Sequence, residues 1–200
     1  MSATRDFIRH YSLYIAVLSL LLLLAVAEPW SSRWLEFDRS LIDAGQWWRL
    51  FTASWVHLST NHLLGNMAGV ALFAYVAGPS LNNRLGFALL VWSVSFVGVG
   101  LYVYADYLQR YVGLSGALHG LLLVAPFVSP FYGRRMAWLF LIAIVGKCLW
   151  EQSPFYDDMA MLDYIGGRVE TNSHLLGAIS GIVFLAFIKW KRPEALNESE

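Results

Sequence analysis

Apolar residues along this chain gather in long runs rather than in short alternations. Six stretches carry them, at residues 11–27, 62–77, 85–104, 116–131, 136–150 and 174–190. A helix needs about 20 mostly apolar residues to cross a bilayer. Each run therefore predicts a transmembrane helix, the shorter ones completed by flanking polar residues or lying in a thinned or protein-shielded zone. The connections hold turn formers: Gly78-Pro79 with Asn82-Asn83-Arg84, then Gly133-Arg134-Arg135, then a long segment, 152–172, containing Gly166-Gly167. No internal repeat or low-complexity segment interrupts the pattern. Residues 1–200 read as one all-α integral membrane domain with a polar, disordered tail after Trp190.

Composition narrows the classes. Hydrophobic residues make up 58% and charged residues 14%, against roughly 45–50% and 25% in soluble domains. That is too little charge to cover a soluble surface. Fourteen basic residues balance fourteen acidic ones, so there is no electrostatic footprint for nucleic acid. Cys148 is the single cysteine, which excludes an intrachain disulfide and a cysteine metal cluster.

The basic residues also orient the chain. Arg5, Arg9, Arg84, Arg134, Arg135, Lys189, Lys191 and Arg192 fall on one side if all six runs span. Arg33, Arg39, Arg49, Arg110 and Arg168 fall on the other, diluted over longer loops rich in Asp and Glu. The positive-inside rule then places both termini in the cytoplasm. Arg5, Arg9 and the run ending at Ala25-Val26-Ala27 also fit a cleavable signal peptide. The run is long for that role and five more follow it, which favours a span. In the first outer loop Trp30, Trp34, Phe37 and Leu41 recur at i, i+4, i+7 and i+11. This predicts one short amphipathic helix lying in the outer interface.

Polar side chains are expensive inside a membrane and mark function. Here they cluster at one depth. His62 and Asn66 open the second run, Ser115 and His119 the fourth, and His174 the sixth; Lys147 and Glu151 close the fifth, at the same outer face. Residues four apart on a helix differ by about 40° in azimuth and about 6 Å in height, so each pair shares a face. Gly116 and Gly120, and Gly177 and Gly181, are small-xxx-small pairs that let two helices come close. That packing brings the His174 imidazole toward the Ser115 hydroxyl. A serine becomes nucleophilic when a neighbouring base takes its proton, and histidine has the pKa for the task near neutrality. The Ser115 backbone N–H lies among the free donors of a helix N-terminus, and Asn66 and His62 can add donors to an oxyanion hole. No carboxylate lies within the spans near His174, since Glu151 falls just past the fifth run, so a Ser–His pair is expected rather than a triad. His57, five residues before His62, reads as a loop or cap residue. No metal-ligand spacing such as HExxH is present, and neither metal nor cofactor is expected. A transporter would place its polar groups at the midplane instead.

These residues resemble a known family. Trp48-Arg49-Leu50-Phe51-Thr52 with His57, then His62-Leu63-Leu64-Gly65-Asn66, Gly113-Leu114-Ser115-Gly116, and His174-Leu175-Leu176-Gly177 with Gly181 look like the rhomboid intramembrane serine proteases. The resemblance implies a six-helix bundle with a water-filled cavity open to the outside. It implies Ser115 as nucleophile, His174 as general base, and His62, Asn66 and the Ser115 N–H as the oxyanion hole. It also implies a Trp48-Arg49 loop partly in the outer leaflet and a fifth span flanking a lateral entrance. His119 stands where many rhomboids have a tyrosine packed under the histidine. The run Gly113–Gly120, Lys147-Cys148-Leu149-Trp150-Glu151, and Ile165-Gly166-Gly167 look like the rhombosortase subgroup. That subgroup implies a bacterial inner-membrane enzyme with its site opening to the periplasm. Its partners, besides lipid, would be exported proteins bearing a C-terminal Gly-Gly motif, hydrophobic helix and basic end. Lys147 and Glu151 are candidates to receive that tail. Water or an amine-bearing acceptor would resolve the acyl-enzyme. The alternatives are a general rhomboid protease of other single-span substrates and an inactive relative that binds membrane helices.

Overall fold

A computed structural model of the chain describes residues 2–79 and 81–191. The elements in chain order are α1 (Ser2–Val26), α2 (Trp30–Leu35), β1 (Phe37–Asp38), α3 (Arg39–Asp43), α4 (Arg49–Thr52), a 3-10 turn (Ala53–Trp55), α5 (Thr60–Ala77), α6 (Asn83–Tyr104), β2 (Arg110–Tyr111), α7 (Ser115–Val128), α8 (Arg134–Glu151), α9 (Leu162–Ile165) and α10 (Thr171–Lys191). Each apolar run of the sequence has become one long helix. By length and apolarity alone, Asn83–Tyr104 and Thr171–Trp190 qualify as membrane spans, while His10–Val26 and Ser115–Val128 are shorter apolar helices. Most of the expected polar tail, residues 192–200, lies outside the described residues.

Helix α7 is the axle. With 14 residues it is the shortest of the long helices, and Gly116, Ala117, Leu118, Gly120, Leu121, Leu123, Val124 and Ala125 are all buried. Helices α5, α6, α8 and α10 pack around it. The closest approach is with α10: a Cβ on Gly177 would stand only 1.8 Å from the Gly116 carbonyl oxygen. No side chain fits there, so the glycine sets the interhelix distance. Tyr14, Val17 and Leu21 of α1 join the same apolar core. Helix α8 is peripheral, with only Ala137, Cys148 and Glu151 buried.

The outer loop departs from the predicted single helix over residues 30–41. Helix α2 stops at Leu35, β1 pairs antiparallel with β2 (Phe37 with Tyr111, Asp38 with Arg110), and α3 begins at Arg39. The helical spacing misled because Phe37 does not share a face with the tryptophans. It is fully buried, whereas Trp30 and Trp34 are exposed. Asp38 ends the strand and caps α3 by accepting from the Leu41 N–H. The Ser40 hydroxyl, then that N–H and Arg110, hold the Asp38 carboxyl below the usual carboxylate range against the opposing effect of burial.

Two arginines fasten this loop. Arg39 donates to the carbonyls of Leu101, Tyr102, Ala105 and Leu108, tying the start of α3 to the C-terminal end of α6 and the loop that follows it. Arg49 is 2% exposed and donates to Gln46 Oε1 and to the carbonyls of Glu36 and Arg33, each at 2.8 Å. A lysine keeps the charge but not the planar fork. Arg49→Lys is expected to destabilise the fold by roughly 2 kcal/mol through the lost charged hydrogen bonds, read as a lower melting temperature in detergent. An unchanged melt would show that the fork holds nothing.

Candidate active site

Ser115 is the first residue of α7. The turn that delivers it depends on Gly113, whose φ is +115° and where a Cβ would lie 2.6 Å from the His62 ring. Glycine is the residue that adopts this conformation without strain. The turn is held from both sides: Gly113 N–H donates to the Ala53 carbonyl at 3.0 Å, and Tyr111 Oη donates to the Gly113 carbonyl at 2.9 Å. The role of Tyr111 was not read from the sequence, since nothing local marks a tyrosine two residues before a glycine.

His174, in the first turns of α10, meets this serine. Its Nε2 lies 3.0 Å from Ser115 Oγ, and its Nδ1 lies 2.9 and 3.1 Å from the two carboxylate oxygens of Glu151. A carboxylate only accepts, so Nδ1 carries the ring proton and Nε2 is free to accept from the serine hydroxyl. The expectation of a Ser–His pair with no carboxylate beside it is thus overturned. Helix α8 runs through Glu151, one residue past the predicted span end, and turns that side chain inward, where it is 3% exposed.

His119 lies one turn along from Ser115 and stacks on His174, with ring centroids 4.2 Å apart and an interplanar angle of 24°. An imidazole thus fills the aromatic place. Its Nδ1 donates to the Ser115 carbonyl at 2.7 Å, and its Nε2 accepts from Lys147 Nζ at 3.0 Å. Lys147 also pairs with Glu151 and stands 3.4 Å from His174 Nδ1. Among the described residues, donor atoms of His119, Cys148 and Glu151 come within 4.8 Å of one another. The ammonium of Lys147 is the cation already among them.

His62 and Asn66 reach the same cavity as Ser115 without bonding to it. His62 Nδ1 accepts from the Leu58 N–H at 3.4 Å, which leaves the Nε2 proton beside the Gly113 turn. Asn66 is buried and donates to the His62 carbonyl at 3.1 Å. His57 sits in the loop before α5; its ring meets that of His62 edge-on at 5.1 Å and takes no part in the Ser115–His174 pair.

Two cavities meet at these groups. One, of about 520 Å³, has a polar rim that includes Tyr107, Arg110, Arg168 and Glu170. The other, of about 320 Å³, runs along Asn61, Gly65 and Gly69 of α5 and is partly covered by Met161 and Tyr164. His62, Ser115 and His174 line both.

The family model of the Rhomboid domain matches residues 44–191, a segment that holds every one of these site residues. The chain belongs to the rhomboid family. It is 30% identical over 158 residues to "Putative rhomboid protease YdcA" of Bacillus subtilis (strain 168), covering 75% of this chain and 71% of that protein. It is 36% identical over 88 residues to "RHOMBOID-like protein 6, mitochondrial" of Arabidopsis thaliana, covering 42% of this chain and 27% of that one. As a rhomboid domain it is a membrane-embedded, mostly helical fold. Residues 1–43, with α1, α2, β1 and α3, precede the matched segment.

Proposed function

We propose that this rhomboid is an intramembrane serine endopeptidase whose nucleophile is Ser115 and whose general base is His174. The observation that carries the reading is the 3.0 Å contact between Ser115 Oγ and His174 Nε2 at the junction of two cavities. In this reading all six long helices span the membrane, with both termini cytoplasmic. Helix α7 is then too short to cross alone. Its 14 residues rise about 21 Å in a hydrocarbon core of about 30 Å, which sets Ser115 below the outer surface. The polar-rimmed cavity admits water from the outside. The cavity along Gly65 and Gly69 admits a substrate backbone from the lipid side.

The chemistry follows from the hydrogen bonds. His174 Nε2 takes the Ser115 proton as Oγ forms a bond to the scissile carbonyl carbon. The developing oxyanion is met by the Ser115 N–H, the His62 Nε2–H and the Asn66 amide after a small reorientation of the two side chains. The C–N bond breaks as His174 returns its proton to the leaving amine. Water then adds to the acyl carbon and gives a proton to His174; the Ser115 Oγ–C bond breaks as His174 returns that proton to Oγ, and the product leaves with the water oxygen in its carboxyl group.

We further propose rhombosortase-like specificity. The substrates would be exported proteins with a C-terminal Gly-Gly motif, a hydrophobic helix and a basic end, in a bacterial inner membrane with the site facing the periplasm. Glycines suit attack because the substrate backbone must unwind and approach the serine closely. A reporter with such a tail, co-reconstituted with the purified protein, should be cut near its glycines. Replacing both glycines by valine should slow the cut at least about tenfold, an energetic difference of about 1.4 kcal/mol. Equal cutting of the valine tail would favour a general single-span protease, and no cutting of either would count against the protease reading.

A further inference from the structure

The Ser115–His174 pair has a third partner that the chemistry proposed above does not use. Glu151 points both oxygens at His174 Nδ1 and is nearly inaccessible at 3% exposure. A carboxylate held that deep is costly unless it is paired and hydrogen-bonded, and here Lys147 and His174 supply both. An i,i+4 ion pair with Lys147 alone would leave Glu151 free to face the outside, where Lys147 itself is half exposed. Instead the carboxylate turns away from solvent and onto the imidazole.

We infer that Glu151 is a positioning residue for the base, completing a Ser–His–Glu array in which its carboxylate fixes the Nδ1–H tautomer of His174 and stabilises the imidazolium formed when Ser115 is deprotonated. The inference rests on the protease reading. The groups facing His174 come from three helices: Glu151 and Lys147 from α8, His119 from α7 and His62 from α5. Helix α6 meets α10 instead through Gly100 against Leu176 and Ser93 against Ser180. Glu151 is the one anion in that set, and the other three groups are cationic when protonated. Neutralising it should therefore remove the charge that faces the imidazolium formed during the reaction. A glutamine can also present its amide N–H to Nδ1 and trap the wrong tautomer. In the chymotrypsin-type triad the corresponding change costs about 10⁴ in rate. His119 also steadies this ring, so a loss of at least about 10²-fold is expected here.

The test is the rate of fluorophosphonate labelling of Ser115, measured against pH in detergent for wild type and Glu151→Gln. The expected result is a plateau lowered by at least about 10²-fold and a displaced acid limb. A lowered plateau with an unmoved limb would mean that Glu151 merely anchors α8, and a near-wild-type profile would remove it altogether; both overturn the inference. Histidine ¹⁵N spectra of the wild type provide a second measurement that needs no variant to fold. They should show neutral His174 as the Nδ1–H tautomer, and the Nε2–H tautomer would overturn the inference. Wild type that is not labelled at Ser115 would remove the protease reading itself. Labelling that depends on Ser115 and His174 but ignores Glu151 would remove only this inference.

Discussion

Ser115→Ala is expected to abolish cleavage of a tailed reporter while leaving the detergent melting curve close to wild type. The hydroxyl makes one contact of consequence, with His174 Nε2, and its removal creates no cavity larger than one oxygen. His174→Ala should be as damaging. In groups that act as a unit, single removals cost about as much as joint removal, on the order of 10⁶-fold in the best-studied case. The double variant is therefore expected to be no slower than either single one. Quantitative cleavage assays of the three variants check this. Additive losses would mean that the two side chains act separately, despite their 3.0 Å separation.

A larger structural effect is expected from Gly177→Val. The first carbon added there would lie 1.8 Å from the Gly116 carbonyl oxygen. Backbone cannot swing aside as a side chain does, so α7 and α10 must part by more than 1 Å to reach an ordinary contact of roughly 3.5 Å. The cost is expected at or above the upper end of the roughly 1–3 kcal/mol typical of core overpacking. Ser115 and His174 ride on these two helices, and a displacement of about 1 Å at reacting groups costs about 10²-fold. Stability and activity should fall together. Gly146→Ala is the control, because nothing lies within 4 Å of a Cβ there. In the interior of α8 it should stabilise by up to about 1 kcal/mol. A Gly177→Val protein that melts like wild type would contradict the helix spacing described here.

Much of this arrangement is legible in the sequence because lipid simplifies the code. Runs of apolar residues located five of the six long helices to within three residues at each end, and only α1 extends well beyond its run. The small-xxx-small pairs and the shared depth of His62, Ser115 and His174 pointed to helices that do meet. Other features depend on tertiary partners that spacing does not reveal. Residues 30–41 have the period of a helix, but Phe37 and Asp38 pair with a strand more than 70 residues away in the chain. Glu151 falls just past the apolar run that defined its helix. Its four-residue offset puts it on one face with Lys147, and only the docking of α8 beside α10 turns it onto His174. Likewise nothing near Tyr111 in the sequence indicates that its hydroxyl holds the Gly113 turn.

The most direct measurement is the site of covalent capture. Purified protein treated with a fluorophosphonate and mapped by peptide mass spectrometry should carry one adduct, on Ser115, and the adduct should vanish in His174→Ala. An adduct on a different serine, or one on Ser115 that forms equally fast without His174, would contradict the account of a serine activated by that imidazole.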